Sequence, residues 1–337
     1  MLSIRSVVLA TAASIGFLSA LPAQAEERAV CYNCPPEWAD WKSELEAIKR
    51  DTGINVPMDN KNSGQSLAQL IAERNNPIAD VVYYGVTFAI QAEGENVITS
   101  FKPEHFDSIP TDMKHPDGLW FAIHSGTIGL MVNTAALGDV PVPKSWNDLL
   151  KPEYDGLVGY LDPSSAFVGY AGATAINLAL GGDLDNYEPV LKFFADLKEN
   201  HPIVPKQTSY ARVLSGEIPI FIDYDFNAYR AKYDDQAPIE FVIPTEGTIS
   251  VPYVMSKVKD SPNPENAEKV LNHTLSDEGQ KVWAEAYLRP IRAEAMSEEA
   301  RSKFLPDADY ERAQGVDYAK MAEAQKGFAE EYLKRGL

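Results

Sequence analysis

Ala79-Asp80-Val81-Val82-Tyr83-Tyr84 is the stretch that decides the fold of this 337-residue chain. Its β-branched and aromatic residues predict a buried strand. Two further strands are predicted before it, at 29–32 and 54–56, and each is followed by a helix with periodic apolar residues, at 36–50 and 67–74. Strand, helix, strand, helix, strand is the order of a right-handed parallel unit, so this part of the chain is predicted to form one lobe of an α/β protein.

A second α/β unit is predicted further along the chain. Two extended runs, at 120–123 and 129–133, are separated by the flexible stretch Ser125-Gly126-Thr127. After them come predicted strands at 156–160, 218–222 and 239–243, predicted helices at 166–180 and 187–200, and one more extended run at 250–255. The residues that follow this last run are mostly helical in pattern.

The order of these elements predicts two lobes joined by a hinge. The simplest topology has the chain leave the first lobe near residue 122, build the second lobe and return near residue 252. Lobe one then comprises 26–122 and 253–337, and lobe two comprises 123–252. Two crossings between lobes form a hinge, which permits the lobes to open and close.

The first residues predict export. Arg5 precedes an apolar run at 7–21, and Leu21-Pro22-Ala23-Gln24-Ala25 has the small-residue pattern that a signal peptidase accepts. We expect cleavage after Ala25, so that 1–25 is a signal peptide and the mature protein is free in the periplasm. No later stretch is long and apolar enough to span a bilayer.

The net charge limits the choice of partners. It is −19 at pH 7, and the chain has no basic stripe. Nucleic acid and anionic membrane surfaces are therefore excluded as expected partners. The net charge does not fix the charge of a ligand, because a buried pocket can oppose the field of the surface. We expect a monomer that binds a small molecule.

Polar stretches lie where strands are predicted to end and helices to begin, which is where open parallel sheets bind ligands. Their hydroxyls and backbone amides suit an oxyanion such as phosphate or phosphonate. The same residue types are also ordinary helix caps, so each has a structural explanation as well. Together with Asn33, which follows the first strand, the candidates are Ser63 and Gly64 before the second helix, Ser125 and Thr127 at the hinge, and Ser164 and Ser165 in the second lobe.

Acidic and aromatic residues at two other strand ends are candidates for contacts with the rest of a ligand. Asp223, Asp225 and Asn227 follow a predicted strand, and carboxylates accept hydrogen bonds from sugar hydroxyls or an amine. These residues are equally suited to capping the next helix. Tyr83 and Tyr84 end the third strand, where an aromatic wall would pack on a sugar or an alkyl chain, or simply within the core.

Cys31-Tyr32-Asn33-Cys34 offers an alternative function. Two cysteines at this spacing between a strand and a helix resemble a thioredoxin-type motif, which would make the chain an exported thiol-disulfide oxidoreductase. A thioredoxin unit is much smaller than this chain, and an oxidising compartment favours a structural disulfide between Cys31 and Cys34. The histidines are scattered and no Gly-x-Ser-x-Gly stretch occurs, so no catalytic residue, metal ligand or cofactor is predicted.

Four stretches resemble the periplasmic substrate-binding proteins of ABC importers, in the branch that holds the ferric-ion, polyamine, phosphonate and sugar-phosphate receptors. They are Gly53 to Ser66, Asn76 to Val81, Val140 to Leu150 and Leu275 to Gln280. The resemblance covers nearly the whole mature chain. It implies the type II fold, in which two α/β lobes close on a solute, and it implies a membrane permease and its ATPase as partners.

One segment bears on the ligand within that family. Ferric-ion receptors that resemble this chain usually present two adjacent tyrosines shortly before a Tyr-Arg pair. Here Tyr229-Arg230 is present, but Phe226 and Asn227 stand where the two phenolates are expected. Ferric iron needs such hard oxygen donors. We therefore expect an organic solute, a phosphorylated sugar or an aminophosphonate, with a polyamine next and ferric ion third.

Overall fold

The computed structural model describes residues 27–207 and 209–337, so the predicted signal peptide at 1–25 lies outside the described residues. Within them the protein is α/β, with ten strands joined in one curled, mixed sheet. The strands are β1 Cys31–Tyr32, β2 Val81–Gly85, β3 Ile98–Thr99, β4 Phe121–Asn133, β5 Val158–Tyr160, β6 Ile220–Tyr224, β7 Ile239–Val242, β8 Thr248–Val258, β9 Arg289–Pro290 and β10 Ala313–Gln314.

Twelve α-helices accompany this sheet among the described residues. They are α1 Trp41–Thr52, α2 Ser63–Ala72, α3 Val86–Gly94, α4 Phe167–Ala179, α5 Glu188–Lys198, α6 Tyr210–Leu214, α7 Asp225–Tyr233, α8 Pro264–Leu275, α9 Asp277–Glu285, α10 Glu298–Ser302, α11 Asp307–Tyr310 and α12 Tyr318–Lys334. Among the described residues, no helix is both long and apolar enough to cross a bilayer.

Two long strands connect two halves of the sheet. The main path runs β1-β2-β8-β4-β6-β5, with β1 parallel to β2 and β5 parallel to β6. Residues 121–127 of β4 pair with β8, whereas residues 128–133 of the same strand pair with β6 and β7. We call the part around β1, β2 and β3 the first lobe, and the part around β5, β6 and β7 the second lobe. The central pair, β4 and β8, is the hinge that the sequence predicts.

The C-terminal helix contacts both lobes. Gln91 of α3 donates to Gln325 of α12 at 2.9 Å, and Tyr170 of α4 donates to the Met321 carbonyl at 2.7 Å. Near its end, α12 also brings the Tyr332 hydroxyl to 3.2 Å from that of Tyr160. The lobe boundaries at 122 and 253 remain a prediction, and by its contacts α12 is shared between the lobes.

Three predicted elements differ from the structure for identifiable reasons. The predicted helix at 36–50 begins at Trp41, because Ala39 and Asp40 have φ of 52° and 50°, outside the right-handed helical region. The predicted strand at 54–56 is reduced to one bridge between Asn55 and Arg28. The two runs at 120–123 and 129–133 form a single strand, since the stretch between them pairs with β8.

A cluster of ionisable groups, of which Glu44 and His273 are buried, joins α1 to α8. His273 Nδ1 lies 2.9 Å from Glu44 Oε1, and its Nε2 lies 3.0 Å from Asp51 Oδ2. Burial alone lowers the pKa of His273, but its hydrogen bonds and charge interactions with Glu44 and Asp51 outweigh burial, and the net shift is upward. Burial raises the pKa of Glu44, which is fully buried. Protonated His273 therefore stabilises the buried carboxylate of Glu44, whose negative charge would otherwise be uncompensated.

We expect His273→Gln to lower the free energy of unfolding by about 3 kcal/mol at pH 6, because breaking a buried ion pair leaves the other charge unpaired. A histidine with a raised pKa stabilises the fold below its unfolded pKa of about 6.5, and this contribution is lost as pH rises through the folded pKa. The difference from wild type should therefore shrink by pH 9. Urea denaturation at both pH values measures it, with the exposed His201→Gln as control. A difference that is equal at the two pH values would contradict this assignment.

Candidate functional site

A cavity of about 370 Å³ lies between the lobes, and we call it the interlobe cavity. Its walls come from both lobes and from the hinge strand β8. They are Asn33, Pro35, Pro36, Glu37, Trp38, Met58, Asn60, Lys61, Asn62 and Ser63 of the first lobe, Leu161, Ala166, Phe167, Val168 and Gln207 of the second lobe, and Tyr253 of β8. Its position at the ends of sheet strands is the usual place for a ligand in an α/β protein.

The first-lobe wall is the N-terminus of α2. Asn62, and not Ser63, caps this helix: its Oδ1 accepts from the Gln65 amide at 2.8 Å, and Gln65 Oε1 accepts from the Asn62 amide at 3.0 Å. The buried Ser63 hydroxyl accepts from the Gly85 amide at 3.2 Å, so its own proton remains to be donated. Lys61 brings a positive charge beside this helix end, with Nζ 2.6 Å from Asp59 and 4.2 Å from the centre of the Tyr32 ring.

The second-lobe wall is the N-terminus of α4. Its N-cap residue is Ala166, which has no side-chain oxygen to accept from the first amides of the helix. Ser164 belongs to the preceding turn, where its amide and its hydroxyl donate to Asp162 Oδ1 at 2.9 and 2.5 Å. The Ser165 Oγ is buried and has no hydrogen-bond partner among the described residues. The two predicted serines therefore differ: the hydroxyl of Ser164 is hydrogen-bonded within the protein, and the hydroxyl of Ser165 is not.

Three aromatic side chains, of Trp38, Phe167 and Tyr253, form one wall of the interlobe cavity. The Tyr253 ring lies 5.8 Å from that of Trp38 and 5.3 Å from that of Phe167, measured between ring centres. Trp38 Nε1 donates to the Tyr83 hydroxyl at 3.2 Å, and this hydroxyl lies 2.8 Å from His124 Nε2. Because burial lowers the pKa of His124 to about 3, the imidazole is neutral.

Several residues that the sequence predicts as ligand contacts lie behind the residues that line the cavity. Tyr83 sits under Trp38, and Tyr84 donates to Ser256 Oγ at 2.7 Å. Ser125 is half-buried in the hinge strand, and Thr127 shares a hydrogen bond with Ser250 at 2.7 Å.

The carboxylates predicted to face the ligand are also held within the protein. Asp223 accepts from the Tyr224 amide at 2.8 Å and from Asn227 Nδ2 at 3.1 Å, and burial raises the pKa of Asp223 to about 7. Asp225 accepts from the Thr127 amide at 3.0 Å and from the Tyr310 hydroxyl at 3.1 Å. The bond from the Thr127 amide to Asp225 joins the start of α7 to the hinge strand β4.

Asn33 lines the cavity, and the two cysteines that flank it in the sequence do not. The Asn33 side chain donates to the Tyr83 carbonyl at 2.9 Å, and its backbone lies in the left-handed region with φ of 63°. Cys31 and Cys34 are joined in a disulfide and are fully buried. Burial of both sulfurs disfavours exchange with an external thiol.

Sequence reasoning missed several cavity residues. Lys61 directly precedes the predicted helix-start stretch, so a basic residue at that position was an available signal. Trp38 and Phe167 look like core residues of helices, and no pattern separates them from the core. Gln207 lies in a loop with no motif. Among the described residues, no group of three histidine, cysteine or acidic side chains is placed to hold a metal ion.

Comparisons with known proteins agree with this architecture. Residues 76–319 match the model of the bacterial extracellular solute-binding protein family. An uncharacterised protein of Haemophilus influenzae is 33% identical over 260 residues, covering 73% of this chain and 72% of that protein. A Salmonella typhimurium protein named as a putative 2-aminoethylphosphonate-binding periplasmic protein is 23% identical over 261 residues, covering 75% of this chain and 74% of that protein.

A solved structure shows the same fold. The periplasmic binding protein AfuA from Actinobacillus pleuropneumoniae, with exogenous fructose-6-phosphate bound, has a TM-score of 0.75 and 22% identity, covering 92% of this chain and 98% of that one. The predicted type II two-lobed fold and the predicted family are both confirmed. The chain therefore belongs to the bacterial extracellular solute-binding proteins of the periplasmic, two-lobed kind.

Proposed function

We propose that the chain is a periplasmic receptor that binds a small organic solute carrying a phosphate or phosphonate group in the interlobe cavity. It delivers this solute to the permease and ATPase of an ABC importer. One observation carries the proposal: the N-termini of α2 and α4, which come from opposite lobes, both open into the same cavity. Helix N-termini offer unpaired amides and a partial positive charge, which favour an anion.

The other lining residues support this choice of ligand. Lys61, although ion-paired with Asp59, brings a cation beside α2. The wall of Trp38, Phe167 and Tyr253 provides an apolar surface for the organic part of the solute. The names of two similar proteins agree with an organic anion, since one is named for 2-aminoethylphosphonate and the other was solved with fructose-6-phosphate.

The alternative ligands fit this cavity less well. A polyamine needs several carboxylates, but among the lining residues the only one is that of Glu37. Asp223 and Asp225 do not line the cavity, and they accept hydrogen bonds from Asn227 and Tyr310. Ferric ion needs several hard oxygen donors. The single lining tyrosine, Tyr253, is buried among aromatic rings, and burial raises its pKa.

Further parts of the proposal rest on the family and the charge. Members of this family are binding proteins rather than enzymes, and similar proteins are periplasmic components of ABC transporters. We therefore assign no catalysis to the buried Cys31–Cys34 disulfide. A net charge of −19 disfavours nucleic acid as a partner. We propose a monomer released into the periplasm by cleavage after Ala25.

A thermal-shift screen tests the ligand class. Wild-type protein is heated with 2-aminoethylphosphonate, fructose 6-phosphate, spermidine or ferric citrate. A solute that binds only the folded state stabilises it by about 2.7 kcal/mol at a hundredfold excess over Kd. We expect a phosphonate or phosphate ester to raise the Tm, and spermidine and ferric citrate to leave it unchanged. A shift with spermidine or ferric citrate alone would show that the proposed ligand class is wrong.

Replacing Lys61 tests the positive charge at the cavity. We expect Lys61→Met to weaken binding of the responding anion at least tenfold, because a hydrogen bond to a charged group contributes about 1.5–3 kcal/mol. The exposed Lys192, on α5, gives the matched control Lys192→Met, which should bind like wild type. Isothermal titration calorimetry on both variants decides the point, and equal affinities would remove Lys61 from the site.

Replacing Ser164 or Ser165 with alanine should have opposite effects on stability and on affinity. Ser164→Ala loses the bond to Asp162 and should lower the free energy of unfolding by about 1 kcal/mol while affinity is kept. Ser165→Ala removes a buried hydroxyl without a partner, so stability should be unchanged or higher. If that hydroxyl donates to the bound anion, affinity should fall about tenfold. Measuring Tm and Kd on both variants separates the roles, and unchanged affinity in Ser165→Ala would exclude Ser165 as a ligand contact.

A further inference from the structure

The two lobes touch directly at two glycines of the first lobe. A Cβ atom built on Gly64 would lie 2.5 Å from the backbone oxygen of Ser165. A Cβ atom built on Gly85 would lie 1.9 Å from both Cγ and Cδ1 of Phe167. Real Cβ atoms essentially never approach closer than 3.0 Å to such atoms. Ser165 and Phe167 flank the start of α4, so both contacts bring the second lobe against bare backbone of the first.

Neither glycine is required by its own backbone conformation. Gly85 has φ of −66° and ψ of 149°, which any residue adopts, and Gly64 lies in the first turn of α2 with no positive φ. Within the first lobe, the nearest atom to a Cβ on Gly64 is Phe88 Cε1, at an ordinary 3.5 Å. Glycine weakens a helix relative to alanine. At both positions the shortest contacts of an added Cβ are therefore with the second lobe.

Hydrogen bonds between the lobes surround these two contacts. Asn62 Nδ2 donates to the Lys206 carbonyl at 2.9 Å, and Arg230 Nη1 donates to the Glu37 carbonyl at 2.9 Å. Each bond joins a first-lobe residue to a second-lobe residue, and each depends on the same close approach of the lobes. The contacts at Gly64 and Gly85 therefore belong to a continuous interlobe seam along the cavity.

We infer that Gly64 and Gly85 are closure-determining residues: a side chain at either one holds the lobes apart while the first lobe stays folded. The seam brings the N-termini of α2 and α4 close enough to act on one anionic group, so a receptor that cannot close loses that shared contact. This consequence for affinity rests on the proposed function. The effect on closure does not, because it follows from steric contact alone.

A ligand-independent test uses the seam itself. Gln207 Nε2 lies 3.5 Å from Gln65 Oε1 across the cleft. In a double variant, Gln65→Cys with Gln207→Cys, a short bifunctional thiol reagent can link the two cysteines only when the lobes are closed. When Gly64→Ala or Gly85→Ala is added to this double-cysteine protein, we expect the crosslinked fraction to fall at least threefold. The Tm should stay close to that of the double-cysteine protein, which is the parent. The matched control is Gly94→Ala on α3, where no atom lies within 4 Å of an added Cβ.

A second substitution separates the two glycines. Adding Phe167→Ala should restore crosslinking to Gly85→Ala, since the obstructing ring is gone. It should not restore crosslinking to Gly64→Ala, where the obstruction is the Ser165 backbone. Affinity for 2-aminoethylphosphonate and fructose 6-phosphate, measured by calorimetry without the engineered cysteines, should fall tenfold or more in both single glycine variants.

The outcomes distinguish this inference from the proposed function. Parent-like crosslinking in Gly64→Ala overturns the inference, and so does an unfolded Gly64→Ala, because the first lobe would then require this glycine for its own folding. Reduced crosslinking in both glycine variants supports the inference even if neither anion binds the wild type. In that case the ligand class is wrong, and closure still depends on the two glycines.

Discussion

The pairing of β4 with β8 is the constraint on which the rest of the structure depends. Residues 121–127 and 250–255 form one antiparallel ladder, and both lobes are attached to these strands. Gly126 lies inside this ladder, opposite Val251, and a Cβ there would be 2.5 Å from the Phe226 ring. The centre of the hinge is thus a packed strand. Relative motion of the lobes must bend this pair as a unit, which is hinge closure in its usual sense.

The same ladder connects the hinge to the cavity. His124 of β4 is paired with Tyr253 of β8, and their rings are stacked with centres 5.6 Å apart. Tyr253 faces the interlobe cavity, while His124 meets the Tyr83 hydroxyl that accepts from Trp38. In the proposed receptor, a ligand that contacts this wall therefore acts on the strands that bend. A neutral imidazole suits this position because a buried charge without a partner is costly.

The fold could be predicted from the sequence further than the site could. Strand β2, the two-lobed fold and the presence of helix N-termini at the cavity follow from apolar runs and caps, which are local signals. The exclusion of Asp223 and Asp225 from the cavity depends on which way α7 turns after β6, a tertiary outcome that a strand followed by carboxylates does not reveal. The sequence also does not reveal that Trp38 and Phe167 line the cavity, because an aromatic residue in a cavity wall has the same local sequence pattern as one in the core.

An anion site in a protein of net charge −19 is consistent with electrostatics, because only nearby groups act strongly. At physiological salt, exposed charges are screened beyond about 8 Å, whereas helix amides and Lys61 at the cavity act at contact distance. The two buried carboxyl groups that the sequence predicts as ligand contacts are also less readily charged than exposed ones. Burial raises the pKa of Asp223 to about 7, and burial raises that of Asp225 despite the nearby Arg289. In the proposed site, local dipoles therefore set the preference for an anion, while the acidic surface sets the behaviour of the whole molecule in solution.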